Sequence, residues 1–104
     1  PDGKFSVSFP EYRDKMLEIG DKYDIPVIDL GKATADYLNT VGDEGSKKLF
    51  MWLEKGAYEG YPDGKQDNAH LQQAGAKAFA GLLAGLIRSY DRDDKLDKVK
   101  AELA

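Results

Sequence analysis

The residues best suited to chemistry are Asp67 and His70, which lie three positions apart and include the single histidine of the sequence. In a loop or a first helical turn, this spacing lets the carboxylate reach one ring nitrogen and leaves the other free to face a hydroxyl group. A general base needs that arrangement, because the carboxylate fixes the tautomer and stabilises the imidazolium that forms. On the pattern alone, the simpler interpretation is that Asp67 only caps a turn.

The elements that must position this pair begin with a helix after Ser8. Ser8 and Glu11 form a capping-box pattern, and Pro10 is tolerated in a first helical turn. Apolar side chains then recur at spacings of three and four, which places them on one face that must pack against something. The members of this face are Phe9, Tyr12, Met16, Ile19 and Tyr23.

The segment 25–30 is short, apolar and rich in β-branched residues, which is typical of a buried parallel strand. A helix over about 32–41 follows, with Gly42 as its stop, and a short helix is expected within 43–53. This order of elements indicates a doubly wound α/β protein. A single strand leaves its backbone groups without partners, so further strands must come from elsewhere, or 25–30 is not a strand here.

The longest predicted helix follows a tight turn at 61–64, which has the sequence Tyr-Pro-Asp-Gly. Its apolar and small residues form one broad stripe over 71–90. Gly75, Gly81 and Gly85 each cost such a helix about 1 kcal/mol relative to alanine. A close approach of the helix backbone to a sheet would offset that cost.

Composition and charge exclude several classes of function. The chain carries a formal net charge of −4, with acidic and basic residues interspersed, which does not suit a nucleic-acid binder. It has one histidine and no cysteine, so we expect no zinc or other metal site within this chain. No apolar run approaches the roughly 20 residues that cross a bilayer, and the chain does not open on a signal-peptide pattern. The charged segment 91–104 predicts a terminal amphipathic helix rather than a calcium loop.

The residues around the pair also carry a resemblance. The stretch 67–71, which reads Asp-Asn-Ala-His-Leu, resembles the last conserved block of the SGNH (GDSL-type) hydrolases, together with the Gly-Ala at 75–76. The blocks at 25–30, 45–50 and 61–68 are similar to those of the rhamnogalacturonan acetylesterases. The resemblance implies a flavodoxin-like three-layer α/β/α fold. Residues 1–104 would then be the C-terminal half of one domain, mostly helical, with one parallel strand near 25–30.

The resemblance further implies serine-dependent hydrolysis, without a cofactor, of O-acetyl esters on a pectin-type polysaccharide or oligosaccharide. His70 would take the proton of the serine hydroxyl, and Asp67 would orient His70. In this family the serine and the oxyanion donors belong to blocks that precede the matched region, and no serine or asparagine of this chain lies in such a motif. We therefore expect the chain alone to be inactive and to need the N-terminal half of the same domain as its partner.

Two alternatives stay open at this point. In the first, the chain is a non-catalytic helical interaction module whose Asp67–His70 pair is structural. In the second, the parent protein is an SGNH esterase or lipase that acts on another acyl ester. Trp52, Tyr58 and Tyr61 precede the catalytic block and could either stack on a sugar ring or pack the loop. The resemblance is compatible with a secreted or periplasmic protein, whereas the sequence itself indicates no location.

Overall fold

The computed structural model describes residues 3–104, in which helices alternate with a small sheet. The fold class is mixed helix and strand, as predicted, but the sheet consists of two antiparallel strands in the described residues. The elements are α1 (Pro10–Tyr23), α2 (Leu30–Ser46), β1 (Phe50–Leu53), β2 (Lys65–Leu71), α3 (Gln73–Ser89) and α4 (Asp97–Glu102).

Helix α1 confirms the first predicted helix, but its predicted capping box is wrong. Phe9, not Ser8, is the residue that precedes the helix, and no side chain caps it. A residue before proline avoids the right-handed helical conformation, so Phe9 cannot be the first helical residue when Pro10 follows it. Phe9 instead has a φ of 54°, which leaves Ser8 one position too far from the first turn.

The apolar face of α1 remains open to solvent. Every member of the predicted stripe is exposed, from Ile19 at 43% to Phe9 and Tyr12 at 69%. The expectation that this face must pack against something is therefore not met within residues 3–104. A stripe of this kind normally faces a core.

The predicted parallel strand near 25–30 is wrong for the described residues. Residues 25–29 follow α1 without a regular hydrogen-bonded ladder, and α2 already begins at Leu30. A strand needs a neighbouring strand for its backbone groups, and β1 and β2 pair only with each other. The segment packs back on α1 instead, where a Cβ at Gly20 would lie 2.4 Å from the Val27 side chain.

Arg13 and Asp29 tie α1 to the start of α2. The Arg13 Nε donates to both carboxylate oxygens of Asp29, at 2.9 and 3.1 Å, and a terminal guanidinium nitrogen also contacts this carboxylate. Asp29 in addition accepts from the backbone N–H of Lys32 at 3.2 Å and so caps α2. The hydrogen bond from Arg13 is the largest cause that lowers the pKa of Asp29.

The predicted end of the second helix at Gly42 is a kink within α2 rather than its end. Gly42 has a φ of 74° and a ψ of 180°, and helical geometry resumes after it as far as Ser46. The short helix expected within 43–53 is therefore limited to 43–46, and Phe50–Leu53 form β1 instead. The pairing of β1 with a distant segment is a non-local interaction that the local pattern does not reveal.

Helix α3 confirms the longest predicted helix, and one of its three glycines makes the predicted close approach. A Cβ at Gly75 would lie 2.2 Å from the carbonyl oxygen of Leu49, just before β1. At Gly81 and Gly85, by contrast, an added Cβ would meet nothing within 4 Å. The predicted close packing is therefore wrong for these two glycines in the described residues. Helix α4 lies within the predicted terminal segment 91–104.

The hydrophobic core is thin. Leu38 and Leu49 are the buried apolar side chains of the described residues, at 7% and 8% exposure, and no side chain there is below 2%. The radius of gyration is 16.6 Å, whereas a compact chain of about 100 residues has one of about 13 Å. Much apolar surface is thus left without a partner. None of the described helices is long and apolar enough to span a membrane.

Candidate functional site

The segment that carries the predicted acid–base pair is an irregularity in the sheet. Phe50 of β1 pairs with Leu71 of β2. Trp52, two residues further along β1, pairs with Gln66. Residues 67–70 therefore stand opposite a single residue of β1 and bulge out of the ladder. Such bulges re-aim side chains that a regular strand would direct to alternate faces.

The bulge brings Asp67 and His70 together, as the sequence predicted. Asp67 Oδ2 lies 2.8 Å from His70 Nδ1. Asp67 Oδ1 accepts from the backbone N–H groups of Ala69 and His70, at 2.7 and 2.8 Å. One carboxylate thus shapes the turn and contacts the ring, so the turn-capping interpretation and the acid–base interpretation describe the same geometry.

The two side chains differ sharply in exposure. The Asp67 side chain is 15% exposed, whereas that of His70 is 80% exposed. Within residues 3–104, Nε2 of His70 makes no hydrogen bond. This nitrogen is therefore available to a group outside the described residues. The carboxylate that contacts the ring is therefore sheltered, whereas Nε2 of the ring is open to solvent.

The hydrogen bonds to Asp67 lower its pKa to about 2. The backbone N–H of His70 is the largest cause, followed by the backbone N–H of Ala69 and then the His70 ring. The carboxylate is therefore ionised at neutral pH and can only accept hydrogen bonds. Nδ1 of a neutral His70 ring must then carry the proton, which leaves a lone pair on Nε2 that can take a proton from a hydroxyl group.

A side-chain contact between Trp52 of β1 and Asn68 of the bulge holds the bulge against β1. Trp52 Nε1 donates to Asn68 Oδ1 at 2.7 Å, and Lys47 Nζ covers one face of the indole at 5.0 Å from the ring centre. These contacts favour the packing role for Trp52 over sugar stacking, the two roles that the sequence had left open. A further anchor that the sequence analysis missed is Gln72, whose side-chain amide donates to the Phe50 carbonyl at 2.6 Å.

A cavity of about 300 Å³ lies beside the acid–base pair. Tyr61 lines it, so this aromatic residue is brought to the pair, whereas Tyr58 lines a neighbouring apolar cavity. Lys65 is a second cavity residue that the sequence analysis missed, and its Nζ lies 5.9 Å from the centre of the Tyr61 ring. The full lining is Met51, Tyr61, Lys65, Asp67, His70 and Leu71.

Other parts of a hydrolytic site are not found beside the pair. No serine of the described residues lines this cavity, so the cavity offers no serine hydroxyl to the His70 ring. Likewise, residues 3–104 contain no cluster of three histidine, aspartate or glutamate side chains that could hold a metal ion. What the arrangement can do chemically is to orient an imidazole and to accept a proton at Nε2.

Comparison with known proteins connects the chain to a carbohydrate esterase. Over 82 residues, or 79% of the chain, it is 38% identical to the rhamnogalacturonan acetylesterase RhgT of Bacillus subtilis (strain 168). The match covers 35% of that protein, so the chain spans about a third of the length of this curated relative. No family model and no solved structure matches the chain. The similarity supports a relationship between this chain and the rhamnogalacturonan acetylesterase.

Proposed function

We propose that the chain is the C-terminal half of a serine esterase domain of the SGNH (GDSL) type, which removes O-acetyl groups from a pectin-type carbohydrate. The observation that carries this proposal is the contact of 2.8 Å between Asp67 and Nδ1 of His70, with Nε2 left open. The similarity to a rhamnogalacturonan acetylesterase supports the substrate class. The complete domain would have a flavodoxin-like three-layer α/β/α fold.

The proposed reaction uses His70 twice. First, Nε2 removes the proton of a serine hydroxyl on the other half while the serine oxygen attacks the acetyl carbonyl carbon. The imidazolium then donates this proton to the sugar oxygen as the C–O ester bond breaks, which leaves an acetyl-enzyme. Water then attacks the acetyl carbonyl carbon, with His70 again as the base. The imidazolium returns the proton to the serine oxygen as the serine–acetyl bond breaks, and acetate is released. Asp67 stabilises the imidazolium in both steps, and the other half supplies the oxyanion donors.

The partner in this proposal is the N-terminal half of the same domain. It would cover the exposed apolar face of α1, whose side chains would otherwise lie in water. It would also offer strands to the backbone of residues 25–29, which have no ladder partner among the described residues. Burial of even two large apolar side chains would contribute several kcal/mol to this association, at roughly 1.5–3 kcal/mol each.

The decisive experiment measures acetate release from acetylated rhamnogalacturonan and from 4-nitrophenyl acetate. The chain would be assayed alone and after mixing with the segment of the Bacillus subtilis relative that the match leaves out. We expect activity only in the mixture, because the serine and the oxyanion donors come from the other half. We also expect it to disappear with His70→Ala.

Each result of this experiment bears on a different alternative. If the halves associate but release no acetate from either ester, the acid–base role of His70 is wrong, and the non-catalytic interaction module takes its place. If the mixture cleaves the aryl ester but not the polysaccharide, an esterase for another acyl substrate is favoured. A panel of acyl esters would then define that substrate.

A further inference from the structure

We propose that Trp52 is a positioning residue for the acid–base pair, because its indole N–H holds Asn68 and so sets the direction in which the bulge presents Nε2 of His70. The inference rests on the proposed esterase function and deepens it, because it adds a residue of β1 on which the rate depends. Trp52 itself touches neither the reacting atoms nor the substrate. It acts through the backbone of the bulge, in which Asn68 lies between the two members of the pair.

The sheet fixes the two ends of the bulge but not its middle. Trp52 pairs with Gln66 immediately before the bulge, and Phe50 pairs with Leu71 immediately after it. The bulge residues themselves have no ladder partner on β1. Asp67 closes the turn from within, because it accepts from two backbone N–H groups of the same segment. These internal hydrogen bonds hold the shape of the bulge but do not fix its angle to β1.

The indole of Trp52 supplies the missing contact. Its Nε1 donates to Asn68 Oδ1 at 2.7 Å, and among the described residues this is the one side-chain hydrogen bond that joins the bulge to β1. The indole is half-buried, and Lys47 Nζ lies 5.0 Å from its ring centre. The Lys47 ammonium is in turn paired with Glu44 at 2.9 Å. The donor that holds the bulge is therefore itself held in place.

Asn68 and the acid–base pair line separate cavities. Asn68 and Trp52 line one of about 540 Å³, whereas Asp67 and His70 line the cavity of about 300 Å³ described above. The two cavities share no residue, so a movement that releases Asn68 from the indole also changes the direction of the His70 ring. A misplacement of about 1 Å can lower an enzymatic rate about 100-fold, so the loss of one such hydrogen bond is expected to be measurable.

The test uses the chain mixed with the complementary segment of the Bacillus subtilis relative, and 4-nitrophenyl acetate as the substrate. Trp52→Phe keeps an aromatic ring next to Lys47 and removes the donor, whereas Asn68→Ala removes the acceptor. Each should lower kcat about tenfold and change KM by less than about twofold, because neither side chain contacts the substrate. The double variant should lose no more than either single one, since both remove the same hydrogen bond.

Nuclear magnetic resonance of the chain alone separates the direction of the pair from its integrity. The ¹⁵N shifts of the His70 ring should be the same in Trp52→Phe as in the wild type, because Asp67 contacts Nδ1 within the bulge at 2.8 Å. Trp52 is the single tryptophan of the sequence, so its indole N–H resonance needs no further assignment. That resonance should shift in Asn68→Ala, because the indole loses its acceptor.

The matched control is Tyr90→Phe. It also removes a hydrogen bond between an aromatic side chain and a polar one, the contact of 2.9 Å with Asp93, but in the segment that follows α3. This variant should leave both kcat and KM unchanged.

Three results would overturn the positioning role. The first is an unchanged kcat in Trp52→Phe. The second is a double variant whose loss equals the product of the two single losses, since the side chains would then act independently. The third is a change of the His70 ¹⁵N shifts in Trp52→Phe, which would show that the substitution disrupts the pair itself. A wild-type mixture that does not hydrolyse 4-nitrophenyl acetate would instead refute the esterase function, and the two failures are therefore distinguishable.

Discussion

The carboxylate of Asp67 holds both the backbone and the ring of His70, with one oxygen 2.8 Å from the His70 amide nitrogen and the other 2.8 Å from Nδ1. The group that orients the imidazole therefore also shapes the segment that presents it. The two roles use different oxygens of one side chain. Substitutions at this position can accordingly separate them.

Asp67→Asn should keep the turn and lose the base. The oxygen of the asparagine side chain can still accept hydrogen bonds from the backbone N–H groups of Ala69 and His70. Its NH₂ group, however, cannot accept a hydrogen bond from the Nδ1–H of the ring. The His70 ring would then favour the tautomer with its proton on Nε2. By analogy with serine proteases, we expect kcat of the proposed esterase, assembled from both halves, to fall about 10³–10⁴-fold.

Kinetics with 4-nitrophenyl acetate and the ¹⁵N shifts of His70 would test this prediction together. Asp67→Ala is the comparison variant, because it removes both acceptors and should also disturb the backbone amides of residues 69 and 70. An Asp67→Asn enzyme that keeps kcat within tenfold of the wild type would contradict the orienting role.

The ionisation of Asp67 predicts an acid-sensitive turn. Its pKa is lowered to about 2 from the ordinary 3.8, because the charged form accepts two backbone hydrogen bonds and one from the His70 ring. A lowered pKa stabilises the folded turn at pH values above about 4, and this contribution is lost as the pH falls through 2. The side-chain ¹³C shift of Asp67 should therefore titrate with a midpoint near 2.

The matched control is Asp67→Asn, in which the backbone amide shifts of residues 69 and 70 should no longer change between pH 4 and pH 2. A midpoint at the ordinary value would mean that the carboxylate does not accept these hydrogen bonds in solution.

Two glycines of α3 should respond in opposite ways to alanine. A Cβ at Gly75 would lie 2.2 Å from the Leu49 carbonyl oxygen, so Gly75→Ala forces the helix away from β1 and should destabilise this contact by about 1–3 kcal/mol. Gly81→Ala meets nothing within 4 Å and should stabilise α3 by about 1 kcal/mol through helix propensity.

Hydrogen exchange of the Gln72 amide is a local probe of this contact, because that amide donates to the Leu49 oxygen at 2.7 Å. Gly75→Ala should accelerate its exchange, whereas Gly81→Ala should not. Slow exchange in Gly75→Ala would show that the start of α3 has room for a methyl group beside the Leu49 carbonyl.

The sequence predicted those elements whose stability is local. The periodicity of α1 and α3 and the turn at 61–64 follow from spacing and from proline and glycine chemistry, and the structure confirms them. The contact of Asp67 with His70 could also be predicted, since it spans three residues, while the acid–base role of the two stays a prediction. Its prediction depended on resemblance, however, because the same three-residue pattern serves an ordinary turn.

What the sequence did not reveal depends on distant partners. The pairing of β1 with β2 joins Trp52 to Gln66 across an intervening turn, and neither stretch alternates as a surface strand would. Residues 25–29 have the composition of a strand, but composition cannot supply the neighbouring strand that this segment lacks among the described residues. The place of Lys65 in the cavity likewise follows from the sheet register, which no local pattern specifies.

The exposed face of α1 predicts that assembly can be weakened without unfolding the chain. Met16 is 62% exposed in the structure, so Met16→Gln removes little burial from the chain itself. If the N-terminal half covers this face, the same substitution removes a buried methionine from the interface, and the Kd between the halves should rise about tenfold or more. The control is Lys15→Gln, which introduces glutamine at the neighbouring position, on the polar side of α1. It should change Kd by less than about twofold.

Calorimetric titration of the chain with the complementary segment would measure both values, and circular dichroism would establish that each variant keeps its helices. Equal Kd values for the wild type and Met16→Gln would mean that the α1 face lies outside the interface. A complex that forms equally well would then need another surface of the chain, and the proposed covering of α1 by the N-terminal half would be wrong.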